Sequence, residues 1–375
     1  LRKNFKTILT ALVALSFLIL AFIIGSCCDD CPVGPVQPKP YNGWLYAIDM
    51  QNRWVYKIDV ENDSLVDSVY YETTRRSVPG TIDVSTDGRF LAVGYYDLVN
   101  GVRFTRIYDA QTLDTLTDLA DYNIPVFIPD QDIMIGIGQR LRIYSLPDFT
   151  IVHEEATSLS AYPIVNIKND LVFMNGAVNP EHVESTFIYS YDYVNREIER
   201  EWYFRDKHDS IVFVTAFDIN KDGTKIYCLN YSNLDGTMVT CYDLETEEII
   251  FSYPIFSWTG SVRLTPDEEY LYVTEPGDLA YYGNPGTVYI LDANDGSYIE
   301  GISLFGYAPN PFHPLYATPI VFTPQGHKAY IGSGKVVLES GTISVIDTES
   351  RDVIENIWPD LGHFISDLKI GPKIK

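Results

Sequence analysis

The feature that most constrains this chain is a repeat. An apolar strand, a tight polar turn and a second strand recur as DVSTDGRFLAV (83–93), DINKDGTKIYC (218–228), RLTPDEEYLYV (263–273) and VFTPQGHKAYI (321–331). Weaker copies read FIPDQDIMIGI (127–137) and VNIKNDLVFM (165–174). Asp-Gly suits such a turn because a tight hairpin needs positive φ, which Gly adopts without steric penalty. A third strand follows each copy after a loop of variable length. It ends at Asp59, Asp109, Asp192, Asp243, Asp292 or Asp347, with Ser145 in that place once, at intervals of 36 to 55 residues. No apolar pattern of helical period runs for ten residues beyond Trp44; alternating β-branched and aromatic segments separated by Gly, Pro, Asn and Asp take its place.

Seven repeats of about this length predict an all-β fold, a seven-bladed β-propeller of four-stranded antiparallel blades. The first repeat lacks its inner strand, since WLYAID (44–49) reads as a second strand. The segment HFISDLKIGP (363–372) reads as an inner strand. The ring is therefore expected to be closed by the C-terminal strand completing blade one, which leaves no open sheet edge. LYVT (271–274) and VIDTES (345–350) resemble the repeats of YVTN-type and lactonase-like seven-bladed propellers, and the likeness runs over residues 44–372. It implies an architecture and says little about function, because this fold hosts enzymes, binders and scaffolds alike.

The first 26 residues read as an address. Arg2, Lys3 and Lys6 precede an uncharged apolar run from Ile8 to Ile24, the pattern of a signal peptide. Ile24-Gly25-Ser26-Cys27 resembles a bacterial lipobox, which implies that Cys27 becomes the lipidated first residue of the mature chain. Residues 27–40 then form a tether, with four prolines in PVGPVQPKP making a stiff, extended spacer, and residues 41–375 form the propeller. These features place the body outside the cytoplasm, lipid-anchored to a bacterial membrane. Asp29-Asp30 resembles a surface-export signal and favours the outer membrane or cell surface. An uncleaved transmembrane anchor is the other reading of the apolar run.

The net charge is −24, and loss of residues 1–26 would take it to −27. Such a chain is not expected to bind nucleic acid, which needs clustered Lys and Arg, and the acyl chains must hold it to anionic lipid. Turns between first and second and between third and fourth strands share one face and are short. Loops between second and third strands and between blades share the other face and are long. The long-loop face supplies the candidate ligand contacts: Tyr95, Tyr96, His182, Arg205, His208, Tyr281, Tyr282, Tyr307, His313 and Tyr316.

Most local catalytic motifs are missing. The six His show no HxH or HExxH spacing, and there is no GxSxG elbow or phosphate-binding glycine loop. Acidic runs at 59–63 and 292–296 fit hairpin turns better than calcium loops. No metal or cofactor is expected. The lactonase-like resemblance implies a second reading, a hydrolase built from Arg205, His208, Glu275 and His313. Cys228 and Cys241 would face each other in a hairpin folded about Leu234-Asp235, within disulfide range, which leaves two readings open, a disulfide or two buried free thiols. The leading expectation is a monomeric envelope lipoprotein binding a protein or glycan non-catalytically; a hydrolase and a structural scaffold are the alternatives.

Overall fold

The computed structural model describes residues 41–374 except 51, 72–76, 98–102, 121–123, 139, 157–164, 169–170, 180–181, 256–259, 276–285, 305–318, 334–341 and 358–364. Cys27, the leader and the tether lie outside the described residues. The described chain forms strands numbered from β1 (Gly43–Asp49) to β28 (Ile365–Pro372), arranged as seven four-stranded antiparallel sheets. Blade one is ordered β28-β1-β2-β3, with β2 at Trp54–Asp59 and β3 at Ser64–Tyr70. The C-terminal strand thus fills the inner position as the sequence predicts, pairing Leu45 with Ile370 and Ala47 with Leu368.

Seven apolar clusters lie between neighbouring blades. One of them joins Tyr330, Ile343 and Val345 of blade seven to Leu45, Ile58, Ile365 and Leu368 of blade one, so the seam is packed like the other contacts. The outer strands are the exposed ones; β3 has four exposed residues at its start. This gradient explains the pattern in the sequence. Middle strands need apolar side chains on both faces, whereas the outer strand tolerates charge.

The terminal Asp of the third strand has a structural task. Asp109 Oδ1 accepts the N–H groups of Gln111 and Thr112 at 2.8 and 2.9 Å, and Asp243 Oδ1 those of Glu245 and Thr246 at 2.9 and 2.8 Å. Asp192 and Asp347 repeat the arrangement. Four residues on, the chain passes through positive φ, at Leu113, Arg196, Glu247, Gly296 and Arg351 among others. The acidic turns at 59–63 and 292–296 belong to this series: Asp59 accepts from Glu61 and Asp292 from Asn294. They are turns, as the sequence predicts.

The recurring Tyr of the second strand ties blades together. Tyr46 Oη donates to the Ala110 carbonyl at 2.6 Å and Tyr227 Oη to that of Ala293 at 3.0 Å. Tyr330 Oη reaches Val60 and Asp63 across the seam, at 3.3 and 2.6 Å. In blade four Trp202 Nε1 donates to Leu244 at 2.9 Å. Each acceptor carbonyl belongs to the residue after a turn Asp, so the two sequence signals meet in one contact.

The expected disulfide is corrected. In the hairpin of β17 (Lys225–Ser232) and β18 (Gly236–Asp243), Cys228 pairs with Thr240 and Tyr227 with Cys241. The loop holds three residues, 233–235, rather than turning about Leu234-Asp235. Ser232 Oγ accepts the Asp235 N–H at 2.9 Å, and Gly236 takes φ +76°. A slip of one residue sends the two thiols to opposite faces of the sheet. Cys228 packs toward blade four and Cys241 toward blade six, both buried and free.

Candidate functional site

Strand direction fixes which face is which. Tyr41 leads into β1 beside Pro372, the end of β28, and the Val60 N–H donates to the Gly43 carbonyl at 3.3 Å. Tyr41 therefore lies at the short-turn face. The turns there are occupied by their own Asp carboxylates. A cavity of about 220 Å³ between blades two and three is lined by Thr86, Asp87, Asp130, Gln131 and Asp132. Asp87 in that cavity is already taken by Ser85 and Arg89.

On the long-loop face, the segment between β15 (Glu197–Trp202) and β16 (Phe213–Ile219) folds as a small hairpin. Its Asp206 N–H donates to the Ser210 carbonyl at 2.9 Å, and Arg205 bridges Ile211. Asp206 Oδ1 accepts the N–H groups of His208 and Ser210 at 2.8 and 3.0 Å. Burial works against the charge of Asp206, but the Ser210 amide, the Ser232 hydroxyl, the His208 amide and the His208 ring together hold its carboxyl below the usual range. The β17–β18 hairpin rises beside it. Its Asp235 receives Lys207 Nζ at 2.7 Å and His208 Nε2 at 3.3 Å. Arg205 Nη1 donates to the Asp209 carbonyl at 2.7 Å.

The outcome is an exposed patch formed by two blades. Lys207 and His208 have side chains 67 % and 47 % accessible, Leu234 is 65 % exposed, and Tyr203 and Tyr231 are 40 % exposed. Basic and apolar groups thus stand together on a strongly acidic molecule. Of the residues expected on the ligand face, the structure brings Arg205 and His208 together here. Leu234, Tyr231 and the organising Asp235 were not singled out, although the sequence places all three in or beside one loop.

The other expectations divide. Tyr95 is removed from the ligand face: it is fully buried, its hydroxyl 2.7 Å from that of Tyr108, its ring stacked against both Tyr71 and Phe104. Alternation along β5 (Phe90–Asp97) turns Tyr95 inward and leaves Tyr96 half-buried beneath the Arg103 guanidinium, 5.4 Å from the ring centre. His182 lies in β14 (His182–Asp192); Tyr281, Tyr282, Tyr307, His313 and Tyr316 lie outside the described residues. Glu275 accepts the Tyr289 hydroxyl at 2.5 Å in blade six. Among the described residues no group of three or more His, Cys, Asp or Glu is placed to hold a metal ion.

Fold and site together define a seven-bladed β-propeller with a contoured long-loop face. No family model matches the sequence, and no curated protein matches it. Solved structures do. A functionally unknown protein from Desulfotomaculum acetoxidans is similar with a TM-score of 0.63 at 11% identity, over 88% of this chain and 100% of that one. Kuenenia stuttgartiensis hydrazine synthase aligns with a TM-score of 0.55 at 16% identity, over 76% and 80% of the two chains. The dihydro-heme d1 dehydrogenase NirN gives 0.54 at 12%, over 88% and 75%. At such identities the likeness is one of fold alone.

Proposed function

We propose that this chain is a lipid-anchored envelope protein of the YVTN-repeat type, whose propeller binds a protein or glycan partner through its long-loop face without catalysis. The observation that carries this reading is the division between the two faces. The short-turn face holds Tyr41 and uses its carboxylates within its own turns. The opposite face presents Tyr231, Leu234, Lys207 and His208, groups that the fold leaves open to contact. An aromatic and an aliphatic anchor beside a rim of ion-paired polar residues is the make-up of a recognition surface.

The test is partner capture from envelope material by the anchored chain and by a Tyr231→Ser, Leu234→Asp variant. Both positions are exposed, so folding should be unchanged and retention of partner should fall at least tenfold, as for loss of about 1.4 kcal/mol or more of binding. Undiminished capture overturns the assignment of this face. Cys27→Ala checks the anchor separately, since the variant should remain an unlipidated precursor, read by its migration and by lipid labelling.

A further inference from the structure

A second surface lies on the side of the ring where blades five and six meet. Tyr253 comes from β19 (Ile249–Pro254), the outer strand of blade five. Tyr289 and Tyr298 come from β22 (Gly286–Asp292) and β23 (Tyr298–Leu304) of blade six. Their ring centres form a near-equilateral triangle, with sides of 6.3, 6.3 and 6.5 Å. Tyr253 and Tyr298 are almost parallel, at 11°, and Tyr289 stands at 63° to Tyr298. The Glu275 carboxylate is fixed at the triangle by the Tyr289 hydroxyl, 2.5 Å away. Gly301 makes room for this arrangement: a Cβ there would stand 2.9 Å from the Tyr298 hydroxyl.

Elsewhere the chain lays its own cations over several of its rings. Arg106 lies over Tyr71, Arg103 over Tyr96, Arg200 over Trp202 and Arg351 over Tyr270, while Lys57 and Lys373 both lie over Trp44. Among the described residues no Lys or Arg covers Tyr253, Tyr289 or Tyr298, and Tyr298 is 52% exposed. The faces of these phenol rings carry negative quadrupole charge. A cation resting over the centre of the triangle comes within the roughly 6 Å of all three centroids at which that attraction acts. The carboxylate adds Coulomb attraction, and the net charge of −24 raises the local concentration of cations around the whole molecule.

We propose that Tyr253, Tyr289, Tyr298 and Glu275 form an aromatic cage for a lysine or arginine side chain on a basic segment of a partner protein. The cage is separate from the long-loop patch and stands or falls independently of it. A sugar would also stack on tyrosine and donate hydroxyl hydrogen bonds to the carboxylate, but only a cation gains the Coulomb attraction of that carboxylate and of so acidic a chain.

The test is calorimetric titration of the whole chain with a short Lys- and Arg-containing peptide at moderate salt, with the same peptide carrying acetylated lysines and citrulline for arginine as control. The native chain should bind the basic peptide and not the neutral one. Tyr298→Ala, which removes an exposed ring and no charge, should weaken binding roughly two- to fivefold. Glu275→Gln, which keeps an acceptor for the Tyr289 hydroxyl, should also weaken it. The Tyr231→Ser, Leu234→Asp variant should bind the peptide as the native chain does. Equal affinity of native and Tyr298→Ala chains would mean that net charge alone attracts the peptide, and the cage would be overturned. Binding of a neutral oligosaccharide that is lost in Tyr298→Ala, with no binding of the basic peptide, would overturn it in favour of a glycan site.

Discussion

Leu368→Ala should lower the unfolding free energy by about 2–5 kcal/mol, the range for a large-to-small change in a packed core. Leu368 is 2% exposed in β28, packed with Tyr330, Val345 and Ile58. The size of the effect matters less than its cooperativity. If β28 completes blade one, the loss should appear in a single transition of the whole propeller, because blades seven, one and two all rest on this strand. Chemical denaturation followed by tyrosine fluorescence and by circular dichroism measures it. Coincident midpoints, both lowered, are expected. A change below 0.5 kcal/mol, the size of an ordinary surface substitution, would mean that the strand is a loose tail.

The neighbouring Asp367 should make the same strand sensitive to pH. Its carboxylate accepts the Ile82 N–H of blade two at 3.0 Å and the Leu368 N–H at 2.9 Å. Burial is the dominant influence and pushes its pKa up to about 6, although Lys369, the two amides and Arg263 all oppose it. The native state therefore holds this proton more tightly than the unfolded chain does. Its contribution to stability is complete below about pH 4 and is lost as pH rises through about 6. Asp367→Asn keeps an acceptor for Ile82 and stays neutral. It should raise stability above pH 7 by about 1–3 kcal/mol and change little at pH 4. Urea titrations of both proteins at the two pH values decide the matter, and the difference between them cancels the other titrating groups. A variant less stable than the native chain above pH 7 would contradict the account.

Much of the architecture was legible because the repeat encodes it locally. An Asp that closes its own turn ends the third strand in six of the seven repeats, so Asp59, Asp109, Asp192, Asp243, Asp292 and Asp347 mark blades without knowledge of the neighbours. The inner strand at 365–372 could be read because the first repeat visibly lacked one. Other features depend on partners from different blades. Tyr46 and Tyr227 look like ordinary strand residues until the acceptors at Ala110 and Ala293 arrive from the next blade. Tyr95 and Tyr96 are adjacent and chemically alike, and only the register of β5 decides which of them is buried. The thiols were misplaced by one residue for the same kind of reason. Ser232 and Gly236 set a three-residue loop, and the count of loop residues fixes the face of every side chain in the hairpin. The patch around Asp235 was half legible: its basic residues stood out in YFRDKHDS, but the carboxylate that gathers them sits 27 residues further on.

The central claim is that the long-loop face meets the partner and the short-turn face does not. A photo-crosslinking residue at Leu234, on the long-loop hairpin, and another at Glu349, in a short turn of blade seven, test it in the same intact cells. The account predicts a discrete cross-linked species from position 234 and none from 349. Adducts from 349 alone, from both positions equally, or from neither would contradict it.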